Sequence, residues 1–121
     1  MKKIIVYTHS DCLLKDNGPN HPEKKERLQA VLKSIQNINS NNVEIVDAPL
    51  AVVDDICLVH PVTHINNIFS LIPNYGLVGM EKEPYADTFL CSNSKNAILR
   101  SCGAGIAAAN SLIIDNEKRH K

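Results

Sequence analysis

The sequence predicts an α/β chain, and three stretches carry that reading. Lys3 to Tyr7 is a short β-rich run with no polar face, the pattern of a buried parallel strand. From Pro22 to about Ile38, the apolar residues Leu28, Val31, Leu32 and Ile35 fall at i, i+3, i+4 and i+7, with Lys24, Lys25, Glu26, Lys33 and Gln36 on the remaining surface. That spacing predicts one amphipathic helix. Val43 to Val46 is a second β-rich run, set off by an Asn/Ser-rich turn at residues 37–42. Strand, helix and strand in this order form a βαβ unit, whose parallel strands need a right-handed crossover and cover on both sheet faces.

The remaining elements follow in order. Asp54 to Val59 is expected to make a single helical turn, and Ile65, Ile68, Phe69 and Ile72 place a short helix at about Val62 to Ile72. Pro73 to Gly76 ends it. The stretch from Pro73 to Cys91, with Gly76, Gly79 and Pro84, is poorly patterned, and loops of that length tend to be functional or mobile. Ser92 or Ser94 can cap a last helix that reaches about Asp115. Small and apolar residues surround that helix: Ala97, Ala104, Ala108 and Leu112 on one side, Ile98, Cys102, Ile106 and Ile113 on the other. Such a helix expects burial against more than one partner. Two strands and two shorter helices supply too little, so residues 1–121 read as the N-terminal part of one incomplete domain, with a charged tail at 115–121.

Thirteen basic and thirteen acidic residues give a net charge of zero, so no field steers the chain toward nucleic acid or an anionic membrane. With 4% aromatic residues and no Trp there is no base-stacking platform either. At 44% hydrophobic and 21% charged, the composition is that of an ordinary soluble globular chain. The apolar run Ile4 to Tyr7 after Met1-Lys2-Lys3 is too short for a signal peptide, which gives a cytoplasmic expectation. Cys12, Cys57, Cys91 and Cys102 lack CxxC spacing and read as reduced packing residues. Frequent Asn, Ile and Lys suggest a bacterial source.

The most informative segment runs from Asn17 to Leu28. Gly18-Pro19 cannot sit inside a helix or central strand, whereas Pro22 suits a first helical turn, so the chain bends between them with His21 and Arg27 on either side of the junction. Elsewhere, His60 and His64 have the i, i+4 spacing of a helical metal pair, but Pro61 interrupts the helix and the Glu of the zincin motif is absent. Gly103-Ala104-Gly105 lies inside a helical pattern, without a preceding strand or third glycine, and fits close helix packing better than a phosphate loop. Tyr7, Tyr75 and Tyr85 have no assigned role, and no Ser-His-Asp or Cys-His nucleophile motif is present.

The segment Gly18 to Leu28 matches a Gly-x-x-His-Pro-Glu-x-x-x-Arg-Leu pattern, following a strand that ends in Tyr7. With Leu58-Val59-His60, the Ala86-Asp87-Thr88 loop and the Ala/Gly-rich helix through Gly103 to Ala108, it resembles the histone deacetylase and acetoin-utilization deacetylase superfamily, the arginase-like zinc amidohydrolases. The resemblance implies a partial arginase/deacetylase-like three-layer fold: the N-terminal strands and helices of a mainly parallel sheet. It also implies zinc-assisted hydrolysis of acetyl-lysine or a similar acyl amide. In the family a zinc ion held by two Asp and one His activates water, a His-His pair moves protons and a Tyr steadies the oxyanion. None of those motifs occurs here, and the family's Gly-His-His block would follow the last helix. No residue of this chain is therefore assigned as catalytic or metal-binding; zinc belongs to the full-length family. By resemblance, Arg27 lies beside an internal channel, His21 is structural there, and Asp87 stands at the substrate rim. His64 replaces the family's usual Tyr. The expected function is that of an N-terminal deacetylase fragment, inactive alone. The alternative is a noncatalytic remnant or an interaction module that docks with a separately encoded C-terminal half.

Overall fold

The computed structural model describes residues 3–38, 40–80 and 87–119. Its centre is a parallel pair, β1 (Ile4–Thr8) and β2 (Val43–Asp47), in register from Ile4 opposite Val43 to Thr8 opposite Asp47. The crossover between them contains a 3-10 turn at Ser10–Leu13 and helix α1 (Lys25–Gln36). This is the expected βαβ unit, with the largest boundary shift at the start of its helix.

Helix α1 begins at Lys25, not at Pro22, because the backbone of Glu23 is already engaged elsewhere. Glu23 N–H donates to His21 Nδ1 at 3.0 Å, and Glu23 C=O accepts from the Asn17 side-chain amide at 2.8 Å. The first helical donor, Arg27 N–H, turns instead to Lys24 C=O. Side chains that bond nearby backbone compete with helix propagation. Asn17 is 8% exposed, so its bond is protected from water. The bend itself is as expected: Gly18 has φ +90° and Asn20 φ +62°, left-handed conformations that glycine and asparagine tolerate.

After β2 come α2 (Val53–Ile56) and α3 (Val62–Ser70), close to the expected turn and helix. The long stretch after Pro73 is not wholly irregular: β3 (Val78–Gly79) pairs antiparallel with β4 (Phe89–Leu90). Residues 81–86, including Pro84, Tyr85 and Ala86, lie outside the described residues, as do Met1, Lys2 and the last two of the tail.

Helix α4 (Ser94–Arg119) is longer than expected. Residues 115–119 continue it instead of forming a tail, and Arg119 pairs with Asp115 one turn back at 2.9 Å. Lys118 and Arg119 also face the negative end of the helix dipole. Helix α4 runs antiparallel to the strands. Near its start, Cys91 meets residues 14–16 beyond the end of β1, and its last turns share a groove with Lys3 and Ile5 at the strand's beginning.

The core is small: Ala48, Ile65, Leu90, Cys91 and Ala97 are the buried hydrophobic residues among those described. No residue of α1 is buried. Helix α4 is long and apolar enough to cross a membrane, with a window of mean hydropathy 1.5, of which 17% is buried. Its middle nevertheless packs on protein. Gly103 lies against the backbone of Pro49 and Ala51, so closely that a Cβ there would overlap Pro49 O. That is the close approach expected of this glycine. Gly105, two residues on, has open space around it and needs a different account.

Candidate functional site: a crevice beyond the strand ends

Tyr7, Thr8 and Ala48 mark the C-terminal ends of β1 and β2, and beyond them opens a cavity of about 510 Å³. Open α/β sheets bind ligands in crevices at this end of their strands. The walls come from the bend, from α1 and from α4, which contribute Asn17, Leu28 and Arg100 among others.

Arg100 organises the crevice. Its Nε donates to Asp11 Oδ2 at 3.0 Å and its Nη1 donates to Ala48 O at 2.9 Å. One guanidinium thereby ties α4 to the 3-10 turn after β1 and to the end of β2. The Arg100 and Asp11 side chains are 21% and 22% exposed, so the pair is partly shielded from solvent. His9 completes the cluster by capping the 3-10 turn: its Nδ1 accepts Asp11 N–H at 3.0 Å. Because Nδ1 carries a lone pair in that bond, its 3.3 Å approach to Asp11 Oδ2 is not an ion pair, and the cation that answers the carboxylate charge among the described residues is Arg100. Sequence reasoning passed over Arg100. The signal available was that it is the single charged residue between Asn96 and Ile114.

Of the residues singled out in sequence, the structure brings together His21 and Asp87. His21 accepts from Glu23 N–H through Nδ1, so its proton is on Nε2, which donates to the backbone C=O of Asp87 at 3.0 Å. Its ring also meets Phe89 edge to face, 5.6 Å between centroids. His21 thus ties the bend to the 87–89 segment. Arg27 stands apart, on the exposed side of α1, paired with Glu23 at 2.8 Å. The His60 and His64 rings are 5.4 Å apart.

Cys91 joins the bend to α4. Its Sγ accepts Asp16 N–H at 3.3 Å and lies 3.6 Å from the Ser94 hydroxyl, which itself accepts Cys91 N–H at 2.9 Å. Burial pushes this thiol up, but the hydrogen bonds from Asp16, Ser94 and Asn93 outweigh it and hold the group below the ordinary thiol value. Cys12, on the crevice wall, is shifted the other way, chiefly by burial.

A parallel strand pair with crossover helices and a crevice beyond its strand ends is part of an open α/β domain. Its family is shown by sequence: the chain matches the histone deacetylase domain over residues 21–121 and belongs to that family. No curated protein matches the chain. The zinc ion that the family generally uses does not fit the donors present, since no cluster of three or more His, Cys, Asp or Glu able to hold a metal occurs among the described residues.

Proposed function

We propose that this chain supplies the N-terminal scaffold of a zinc-dependent deacetylase domain and hydrolyses no acyl amide by itself. The observation that carries this reading is a division within the crevice. The groups that build its walls are in place, with Arg100 bonded to both Asp11 and Ala48 O, whereas a metal-holding donor set is absent among the described residues. Hydrolysis of an amide at neutral pH needs a Lewis acid or base to generate the nucleophile, together with donors for the oxyanion. The scaffold's task is positional. In the complete domain, Asp87 at the rim accepts hydrogen bonds from substrate, and the Arg27 guanidinium borders the internal channel. His21 holds the rim segment through the Asp87 carbonyl.

The test is direct. Purified chain, incubated with zinc and an acetyl-lysine peptide, is expected to release no acetate above the uncatalysed rate and to retain no stoichiometric zinc after dialysis. Turnover with bound zinc would overturn the proposal. A second reading, docking onto a separately encoded C-terminal half, is favoured by one specific observation: Leu112, Ile113 and Ile114 at the end of α4 are each more than half exposed. A bacterial, cytoplasmic setting accords with the composition and completes the proposal.

A further inference from the structure

His60 and His64 flank the corner between α2 and α3. Pro61, with φ −58° and ψ 142°, is the N-cap of α3, so no continuous helix joins the two histidines. Both backbones are nevertheless held: His60 N–H donates to Ile56 C=O and His64 N–H to Pro61 C=O, each at 3.0 Å. The corner brings the imidazoles to 5.4 Å between centroids, with their planes 35° apart. The interruption that argues against a helical metal pair in sequence therefore does not separate the rings.

Their separation is close to that of two ligands on one ion. With metal–nitrogen bonds of about 2.0–2.1 Å, imidazoles in neighbouring coordination positions have centroids about 4.5–5.2 Å apart. A small rotation of the exposed His60 ring closes the difference. Each neutral imidazole keeps one lone-pair nitrogen for a metal, while its other nitrogen can still donate its proton to a neighbour. Imidazole donors suit copper, nickel and zinc, and Cu(II) stands highest in the order of divalent affinities. Calcium and magnesium take oxygen ligands instead.

We propose that His60 and His64 form a two-imidazole site for a divalent transition-metal ion, Cu(II) foremost, that clips the α2–α3 corner. Water fills the remaining coordination positions, so the ion exchanges readily. This donor pair differs from the two Asp and one His that the resemblance implies for the family's zinc, and His64 stands where the family usually has Tyr. The site is thus a property of this chain, and it goes beyond the scaffold reading without depending on it.

The experiment titrates the full chain with Cu(II) in a non-coordinating buffer at neutral pH, followed by calorimetry and by proton NMR of the imidazole rings. One equivalent is expected to bind, broadening the His60 and His64 ring signals together before those of His9 and His21. Loss of an outer-shell partner alone costs about 10–100-fold at metal sites, so His60→Ala and His64→Ala should each weaken binding by at least about tenfold. His64→Tyr, which keeps a ring but removes the nitrogen, should do the same. Protons compete for both nitrogens, so affinity should fall by at least about tenfold on acidification to about pH 5.5. Circular dichroism checks that the variants fold, and the broadening pattern of the unaltered chain requires no variant. Broadening that begins at another histidine, or a folded His60→Ala or His64→Ala chain that binds Cu(II) as tightly as before, overturns the proposal.

Discussion

Two arginines of this chain invert the importance that their sequence settings suggest. Arg27 sits in the most recognisable motif, yet its bond is an i, i+4 pair with both side chains more than 60% exposed. Exposed helix pairs contribute about 0.3–0.5 kcal/mol, so Arg27→Ala should lower unfolding stability by no more than about 0.5 kcal/mol. Arg100 lies in an apolar helix outside any chemical motif and makes two charge-assisted bonds from a partly shielded position. Arg100→Ala strands the Asp11 carboxylate and the Ala48 carbonyl and should cost about 2–3 kcal/mol. Arg100→Lys should recover only part of this, because an ammonium cannot reproduce the planar fork. Urea unfolding of the three variants checks the order. Cys91 gives a pH signature. Its thiol is held below the ordinary value in the folded chain, so the unfolded chain binds more protons between the two values and stability rises with pH through that window. Cys12, raised by burial, acts oppositely: above the ordinary thiol value the folded chain holds the extra proton, and stability falls. Urea midpoints measured across the alkaline range should therefore rise and then fall, and Cys91→Ala should remove the rise.

Among the elements, α4 divides by what each glycine faces. At Gly103 a Cβ would overlap Pro49 O and crowd Ala51 N at 3.1 Å, and neither backbone can swing aside as a side-chain tip would. Gly103→Ala should destabilise by at least about 2–3 kcal/mol, at the upper end of overpacking costs. Gly105 has nothing within 4 Å and lies mid-helix, so Gly105→Ala should stabilise by about 0.5–1 kcal/mol through reduced unfolded-state entropy. Thermal melts of the two variants should move in opposite directions. This pair also marks how far the sequence was legible. Helical periodicity showed that both glycines lie in a helix, and composition suggested close packing, but a one-dimensional pattern cannot tell which of two glycines meets a neighbouring backbone. Strands β1 and β2, their βαβ order and α3 were readable because period and length are local properties. The start of α1 was not, since it depends on Asn17 reaching Glu23 O and His21 reaching Glu23 N–H. The β3–β4 pair was missed for a related reason: two-residue strands with a glycine carry almost no alternation. The crevice was not legible: neither His21 nor Asp87 lines it. His21 and Asp87 meet, through the Asp87 backbone, while Arg100 was hidden by its apolar surroundings.

At the scale of the whole molecule, the small core and the exposed α4 face are one fact with a calorimetric consequence. Ile4, Leu112, Ile113 and Ile114 remain more than half exposed, although strand and helix positions of this kind are ordinarily covered. The chain exposes 8864 Å² against about 6,500 Å² for a compact monomer of its mass, and the excess is about a fifth of the surface that such a monomer removes from water on folding. Heat capacity of unfolding tracks newly hydrated apolar surface: a fully packed domain of 121 residues would give about 1.5–1.8 kcal/mol/K. With a fifth of that burial missing, the chain alone should give about 1.2–1.4 kcal/mol/K in scanning calorimetry. The urea m-value should be reduced in the same proportion, because it reports the same exposed area. An environment-sensitive dye that binds apolar surface should fluoresce with the native chain. A full-sized heat capacity together with no dye binding would mean that this face is already buried in solution, by a second copy or by refolding of α4.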